Sequence, residues 1–173
     1  MSLAEAAAAA DDLAQQGSER ELAQLRSTWD EELESAARSP DYRERAVAYR
    51  AIGQFRFRQK LELLRRGLED ESPACRGSAL LALELLSRDH PGDVNADRPL
   101  LHRLVSDGEE NPAVRRLAVM VLKNGSPQRD TIVILEGLAG PRRMRSGAIS
   151  RADVRTSTGA TGRSSFSTRK AEA

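Results

Sequence analysis

Three stretches of this chain repeat one pattern: Pro, any residue, an apolar residue, Arg, two further residues, Ala, and an aliphatic residue. They are Pro40–Val47, Pro73–Leu80 and Pro112–Val119. A weaker fourth copy, Met144–Ile149, has its proline, Pro141, displaced by one place. The arginines Arg43, Arg76, Arg115 and Arg145 stand 33, 39 and 30 positions apart. A period of that length is the mark of a helical hairpin stacked on copies of itself, because one hairpin cannot bury its apolar face alone.

The pattern has a physical reading at each place. Ser39, Ser72 and Asn111 precede the three prolines; all are residue types whose side chains cap a helix N-terminus. Proline fits the first helical position, where its missing N–H leaves no bond unmade. Behind it, Cys75, Ala79, Ala82 and Leu86 fall on one helical face, as do Val114, Ala118 and Val121. The recurring alanine is small where neighbouring helices must approach. Partner helices lie between the copies. Leu22, Leu25, Trp29 and Leu33 share one face of the segment from Glu19 to Ala37; Phe57, Leu61, Leu64 and Leu68 form a second strip, and Leu100, Leu101, Leu104 and Val105 a third. Ile132, Leu135 and Leu138 form the last. Thr131–Leu135 is β-branched and would suit a strand on local propensity, but the repeat phase requires helix. Long loops are expected at Asp89–Arg98 and Lys123–Gln128.

Composition agrees with a helical stack. Aromatics are 3% of the 173 residues, so the core must be aliphatic, and the 31% of charged residues suits a thin, surface-rich body. Net charge is +1 but unevenly spread: Arg142–Ala173 holds eight basic and two acidic side chains, leaving the rest acidic. Cys75 is the single cysteine; it allows no internal disulfide and implies a cytoplasmic or other reducing compartment. No apolar run nears the length of a membrane span, and acids precede the first basic side chain, Arg20, against a signal peptide. The domains read as an Ala-rich helical extension over 1–18, whose Ala6–Ala10 run either extends the first helix or frays and whose apolar surface suits a cap on the stack, a repeat domain over 19–149, and a basic Ser/Thr/Arg-rich tail over 150–173.

The run Asp70-Glu71-Ser72-Pro73-Ala74-Cys75-Arg76 resembles the signature of HEAT repeats, which reads Asp, two residues, Pro, any residue, Val, Arg. Cys75 stands for Val. In the third copy Glu109 takes the acid's place, with Pro112, Val114 and Arg115 matching; in the first, Ala37 does. The resemblance covers residues 19–149 and implies an all-α solenoid of about four antiparallel helix pairs. It also implies a ladder between repeats of turn acid and second-helix arginine, carried by Asp70, Arg76, Glu109 and Arg115.

Candidate sites are few. His90 and His102 lack companions at metal-ligand spacing, and no metal or cofactor is expected. Trp29 reads as the end of an apolar helix face rather than a binding anchor, and Glu31, Glu32 and Glu34 as a solvated face rather than an acid–base pair. No phosphate loop or nucleophile elbow is present. Arg43 is read as structural. Arg50, Arg56, Arg58, Lys60, Arg65 and Arg66 form a candidate basic groove for phosphate or acidic peptide, set against ordinary helix surface charge. The tail residues Arg151, Arg155, Arg163, Phe166, Arg169 and Lys170 form a candidate docking arm, set against a terminus that does nothing. The expected function is non-catalytic: an adaptor or accessory subunit that binds a protein partner through the ridge of second helices and the tail. The alternatives are a nucleic-acid-associated subunit of a ribonucleoprotein or DNA-binding complex, and a HEAT-like enzyme of base-excision or bilin-lyase type.

Overall fold

The computed structural model describes residues 1–140. The fourth pattern copy, Met144–Ile149, and the candidate docking residues Arg151, Arg155, Arg163, Phe166, Arg169 and Lys170 lie outside the described residues.

Eight α-helices follow one another among the described residues: α1 Leu3–Gln16, α2 Glu19–Ala37, α3 Tyr42–Gln54, α4 Leu61–Leu68, α5 Pro73–Asp89, α6 Gly92–Ser106, α7 Pro112–Asn124 and α8 Arg129–Ala139, with a 3-10 turn, Arg58–Lys60, leading into α4. They form an all-α, HEAT-like stack in two layers. Helices α1, α3, α5 and α7 pack side by side in one; α2, α4, α6 and α8 make up the other, and the pairs α2–α3, α4–α5 and α6–α7 are the hairpins. The stretch Thr131–Leu135 lies inside α8, so repeat phase outweighs its β-branched composition.

Small residues set the distance between helices in the first layer. Helix α1 buries Leu3, Ala6, Ala7 and Ala10, the i, i+3, i+4, i+7 stripe of an amphipathic helix. Ser2 and Glu5 close a reciprocal cap at its start, and Gly17, at φ 72°, ends it. The left-handed turn makes α1 a separate helix, not an extension of α2. Between α3 and α5, Gly53 sits directly on Ala82, and Gly67 of α4 sits against Ala79 and the Tyr49 ring. The core is aliphatic but for two buried aromatics, Phe55 and Tyr49, and includes the fully buried Leu64, Leu80, Leu83 and Leu86. Each such leucine stabilises the fold by about 2 kcal/mol relative to exposure.

Two expectations need correction. Asp89–Arg98 is not a long loop. Helix α5 runs to Asp89, and α6 begins at Gly92 after the short His90–Pro91 link. The polar residues Asp93, Asp97 and Arg98 are buried inside α6. They read as loop because their partners belong to other repeats. Pro99 lies within α6 on its exposed side, where solvent can satisfy the Asn95 carbonyl left without a helical donor.

The second correction is the register of the first copy. The first helix of the pattern starts at Tyr42, capped by the Asp41 side chain on the Arg43 amide, not at Pro40 behind Ser39. Counted from the helix start, the equivalent arginines are Arg45, Arg76 and Arg115, and the equivalent alanines Ala48, Ala79 and Ala118, all fully buried. Arg43 and Ala46 sit two places too early; Arg43 is exposed and lies over the Tyr42 ring at 5.7 Å.

Candidate functional site

The turn side of the stack carries a ladder of charged bonds. Arg45 reaches from α3 to Asp70, in the turn before α5, through Nε at 2.8 Å and Nη2 at 3.0 Å. The same guanidinium donates to the carbonyls of Ser39 and Pro40. Arg76 repeats this one hairpin later, donating to the carbonyls of Asp70 and Glu71 and, through Nη2 at 2.6 Å, to Glu110. Both pairs are largely shielded from water: side-chain exposure is 12% and 7% for Arg45 and Asp70, and 16% and 5% for Arg76 and Glu110. Burial alone would raise the Asp70 carboxyl, but Arg45 and the Ser72 amide outweigh it and hold the group below the ordinary carboxylate range. The acid of the second rung is Glu110, not Glu109. Glu109 is exposed, and its amide bonds the Asp107 carboxylate. Arg115 stands at the third rung, where its Nε donates to the Val105 carbonyl at 3.3 Å.

A second set of polar bonds crosses the other layer. Lys60 pairs with Asp30 at 2.6 Å and with Glu34, both on α2. Arg58 holds Asp93 through two bonds, at 2.9 Å and 2.7 Å, and Arg65 holds Asp97 at 2.9 Å, linking the α4 region to α6. Arg103 pairs back to Glu69. From α6, Arg98 and His102 both reach the Thr131 hydroxyl of α8, His102 Nε2 at 2.8 Å.

These bonds dismantle the expected basic groove. Of its six residues, Arg56 pairs with Asp11 at 2.9 Å, and Arg58, Lys60 and Arg65 are engaged as above. Only Arg50 and Arg66 are exposed without a carboxylate partner among the described residues. Four of the six cations are therefore neutralised between helices, and what remains is two separate arginines, too few for a phosphate-tracking channel.

Trp29 and Leu25 pack partly buried on the core. Glu31 and Glu32 are exposed. Glu34, held down first by its bond from Lys60 and then by Arg38, is an anchor and not a proton donor. Cys75 is buried and its thiol donates to the Tyr42 carbonyl at 3.1 Å; burial pushes it above the ordinary thiol range. His90 follows the end of α5 and is exposed.

Burial, and after it the neighbouring Arg98 charge, holds the His102 imidazole below its ordinary value. The folded chain thus binds this proton less readily than the unfolded chain. Stability is complete above the ordinary histidine range and declines as pH falls toward the folded value. Melting temperatures recorded from pH 7 to pH 5 should fall more steeply for the unaltered protein than for His102→Gln; parallel curves would refute this.

The first layer presents a different surface. On α5, the face opposite Cys75, Ala79, Leu83 and Leu86 carries Leu81 and Leu85, both only half-buried. Val47 on α3 and Met120 on α7 are exposed at 40% and 48%, with Leu117 half-buried beside Met120's turn. Second helices thus offer an apolar ridge, edged by the exposed Arg43, Arg50 and Arg116. The repeat predicts a ridge of second helices, but none of these apolar residues is among the candidate binding residues of the sequence. The signal was available: they are the aliphatic side chains of second helices that fall off the buried stripe.

Among the described residues no helix is long and apolar enough to cross a membrane. In comparison with known proteins, residues 31–105 match the HEAT repeats family. Neither the curated proteins nor the solved structures contain a match to the chain.

Proposed function

Since the chain carries HEAT repeats across residues 31–105, we propose that it is a non-catalytic protein-interaction scaffold, an adaptor or accessory subunit of a larger assembly. HEAT repeats are generally scaffolds for protein–protein contact, and the coarse function follows from that. The finer reading is supported by one observation: along successive second helices Val47 and Met120 are exposed and Leu81, Leu85 and Leu117 only half-buried. A contiguous apolar strip rimmed by polar residues marks a protein-binding surface. The partner lies along the ridge and buries it. The engagement of Arg56, Arg58, Lys60 and Arg65 by acids of this chain favours a protein over a nucleic acid on the described residues.

The test is affinity purification from the native source with the full chain and with a Leu81→Glu, Leu85→Glu double variant. Both positions lie off the core, so circular dichroism should be unchanged. A partner retained by the unaltered chain and lost, by tenfold or more, with the variant supports the reading. Equal recovery would place binding elsewhere; release of the partner by nuclease or moderate salt would favour the nucleic-acid alternative.

A further inference from the structure

We infer that the groove between α7 and α8 receives an amphipathic helix from a partner protein, led by a carboxylate that completes the third rung of the ladder. This rests on the scaffold reading and specifies one of its binding sites.

The described part of the stack ends with half a hairpin. Helices α2, α4 and α6 each lie against a following second helix, whereas α8 is held from α6, through Thr131. Where a second helix would continue the layer beyond α7 there is a groove of about 500 Å³, lined by Val105, Pro112, Val119, Met120 and Leu138 with Arg115 and Arg116 at its rim. Met120 and Leu138 are exposed at 48% and 44%. The groove is therefore apolar along its floor and cationic at one end.

The ladder states what the cationic end is built to hold. Arg45 takes Asp70 and Arg76 takes Glu110, each acid lying in the turn just before the next second helix. Arg115 occupies the same fourth position of its helix, and among the described residues its side chain bonds a carbonyl instead. A carboxylate arriving in or just before the first turn of an incoming helix restores the rung. It also sits well at a helix N-terminus, where the macrodipole favours negative charge. This chain does not offer such an acid close by in sequence: none lies between Glu136 and Asp153, and Arg142–Ala173 holds eight basic residues against two acidic. Charge complementarity thus selects a foreign helix with an acidic start and an apolar face at i, i+3, i+4, i+7 spacing, the helix-in-groove mode of recognition.

The experiment uses the full chain as bait for a displayed library of helices of about 14 residues, counter-selected against Met120→Glu. Met120 is exposed, so this variant should keep its helicity and melting temperature. Enriched sequences should carry Asp or Glu at or just before the first helical turn, followed by an apolar stripe. Measured by fluorescence anisotropy, an enriched peptide should bind Met120→Glu and Arg115→Gln at least tenfold more weakly. Arg115→Glu should prefer a peptide with Lys in place of the leading acid. Enrichment without the acid, equal binding to all variants, or no enrichment overturns the inference. A concentration-dependent dimer abolished by Met120→Glu would assign the groove to a second copy. A tenfold gain in peptide affinity on shortening the chain at Gly140 would assign it to the chain's own following residues. Either result overturns it as well. If the natural partner is lost with Leu81→Glu, Leu85→Glu but kept with Met120→Glu, the scaffold reading stands while the groove inference falls.

Discussion

Replacing Gly53 by Val should lower the free energy of unfolding by about 3 kcal/mol, the upper range for overpacking a well-filled core. A Cβ at Gly53 would lie 2.5 Å from the Ala82 Cα, 2.9 Å from its Cβ and 3.0 Å from its carbonyl oxygen. Two of these three atoms are backbone, so no rotamer change relieves the overlap; α3 and α5 must move apart. Helix α5 cannot simply yield, since α7 and α4 hold it on its other sides. The sign for the smaller change is more telling. Gly→Ala inside a helix gains up to about 1 kcal/mol on propensity alone, yet Gly53→Ala should destabilise. Gly137→Ala, in α8 with nothing within 4 Å of its new Cβ, should stabilise. Urea unfolding of the three variants decides this. A stabilising Gly53→Ala would show that the two helices are not in contact there.

Asp70→Ala should cost about 3 kcal/mol, the lower range for removing one partner of a shielded ion pair. The carboxylate accepts two bonds from Arg45 and one from the Ser72 amide at 3.0 Å. Without it, a guanidinium of 12% exposure keeps the Ser39 and Pro40 carbonyls and, at 3.6 Å, the exposed Glu71 carboxylate. Adding Arg45→Met removes the stranded charge, and the double variant should recover a substantial part of the loss. If it recovers nothing, Arg45 matters chiefly for closing the α2–α3 turn. The pH dependence follows from the depressed Asp70 value. The unfolded chain binds this proton more readily, so the contribution is complete above the ordinary aspartate range and is lost as pH falls through the folded value, below about pH 4. The Asp70→Ala variant should lack this part of the acid transition.

The helical hairpins were legible because their signals are local: an N-cap, a proline, an alanine and an aliphatic stripe lie within two turns of one another. The first copy was misread by two positions because Arg43-Glu44-Arg45-Ala46-Val47-Ala48 satisfies the Arg, any, any, Ala spacing in two frames. What separates the frames is not local. Only from Arg45 is Asp70 within reach, and only in that frame do Tyr49, Ile52 and Phe55 fall on the buried side. Asp41 as a cap was the one nearby clue. The charges of α4 and α6 were misjudged for the same reason. Arg65 and Asp97 are 32 positions apart, Arg58 and Asp93 35, and Arg76 and Glu110 34. Read singly, they look like solvated surface; read one period apart, they pair. The apolar ridge was undervalued because an exposed leucine is unremarkable alone. It becomes informative only when stacking aligns several.

Because the main helix contacts among the described residues join helices one or two places apart in chain order, the fold has short sequence separations between contacting groups. Chains of this kind reach the native state in microseconds to milliseconds. Protein synthesis adds only about 5–20 residues per second, so a hairpin takes seconds to emerge. Each pair of helices has time to settle on its predecessor before the next leaves the ribosome, with Arg45 in place before Asp70 has been made.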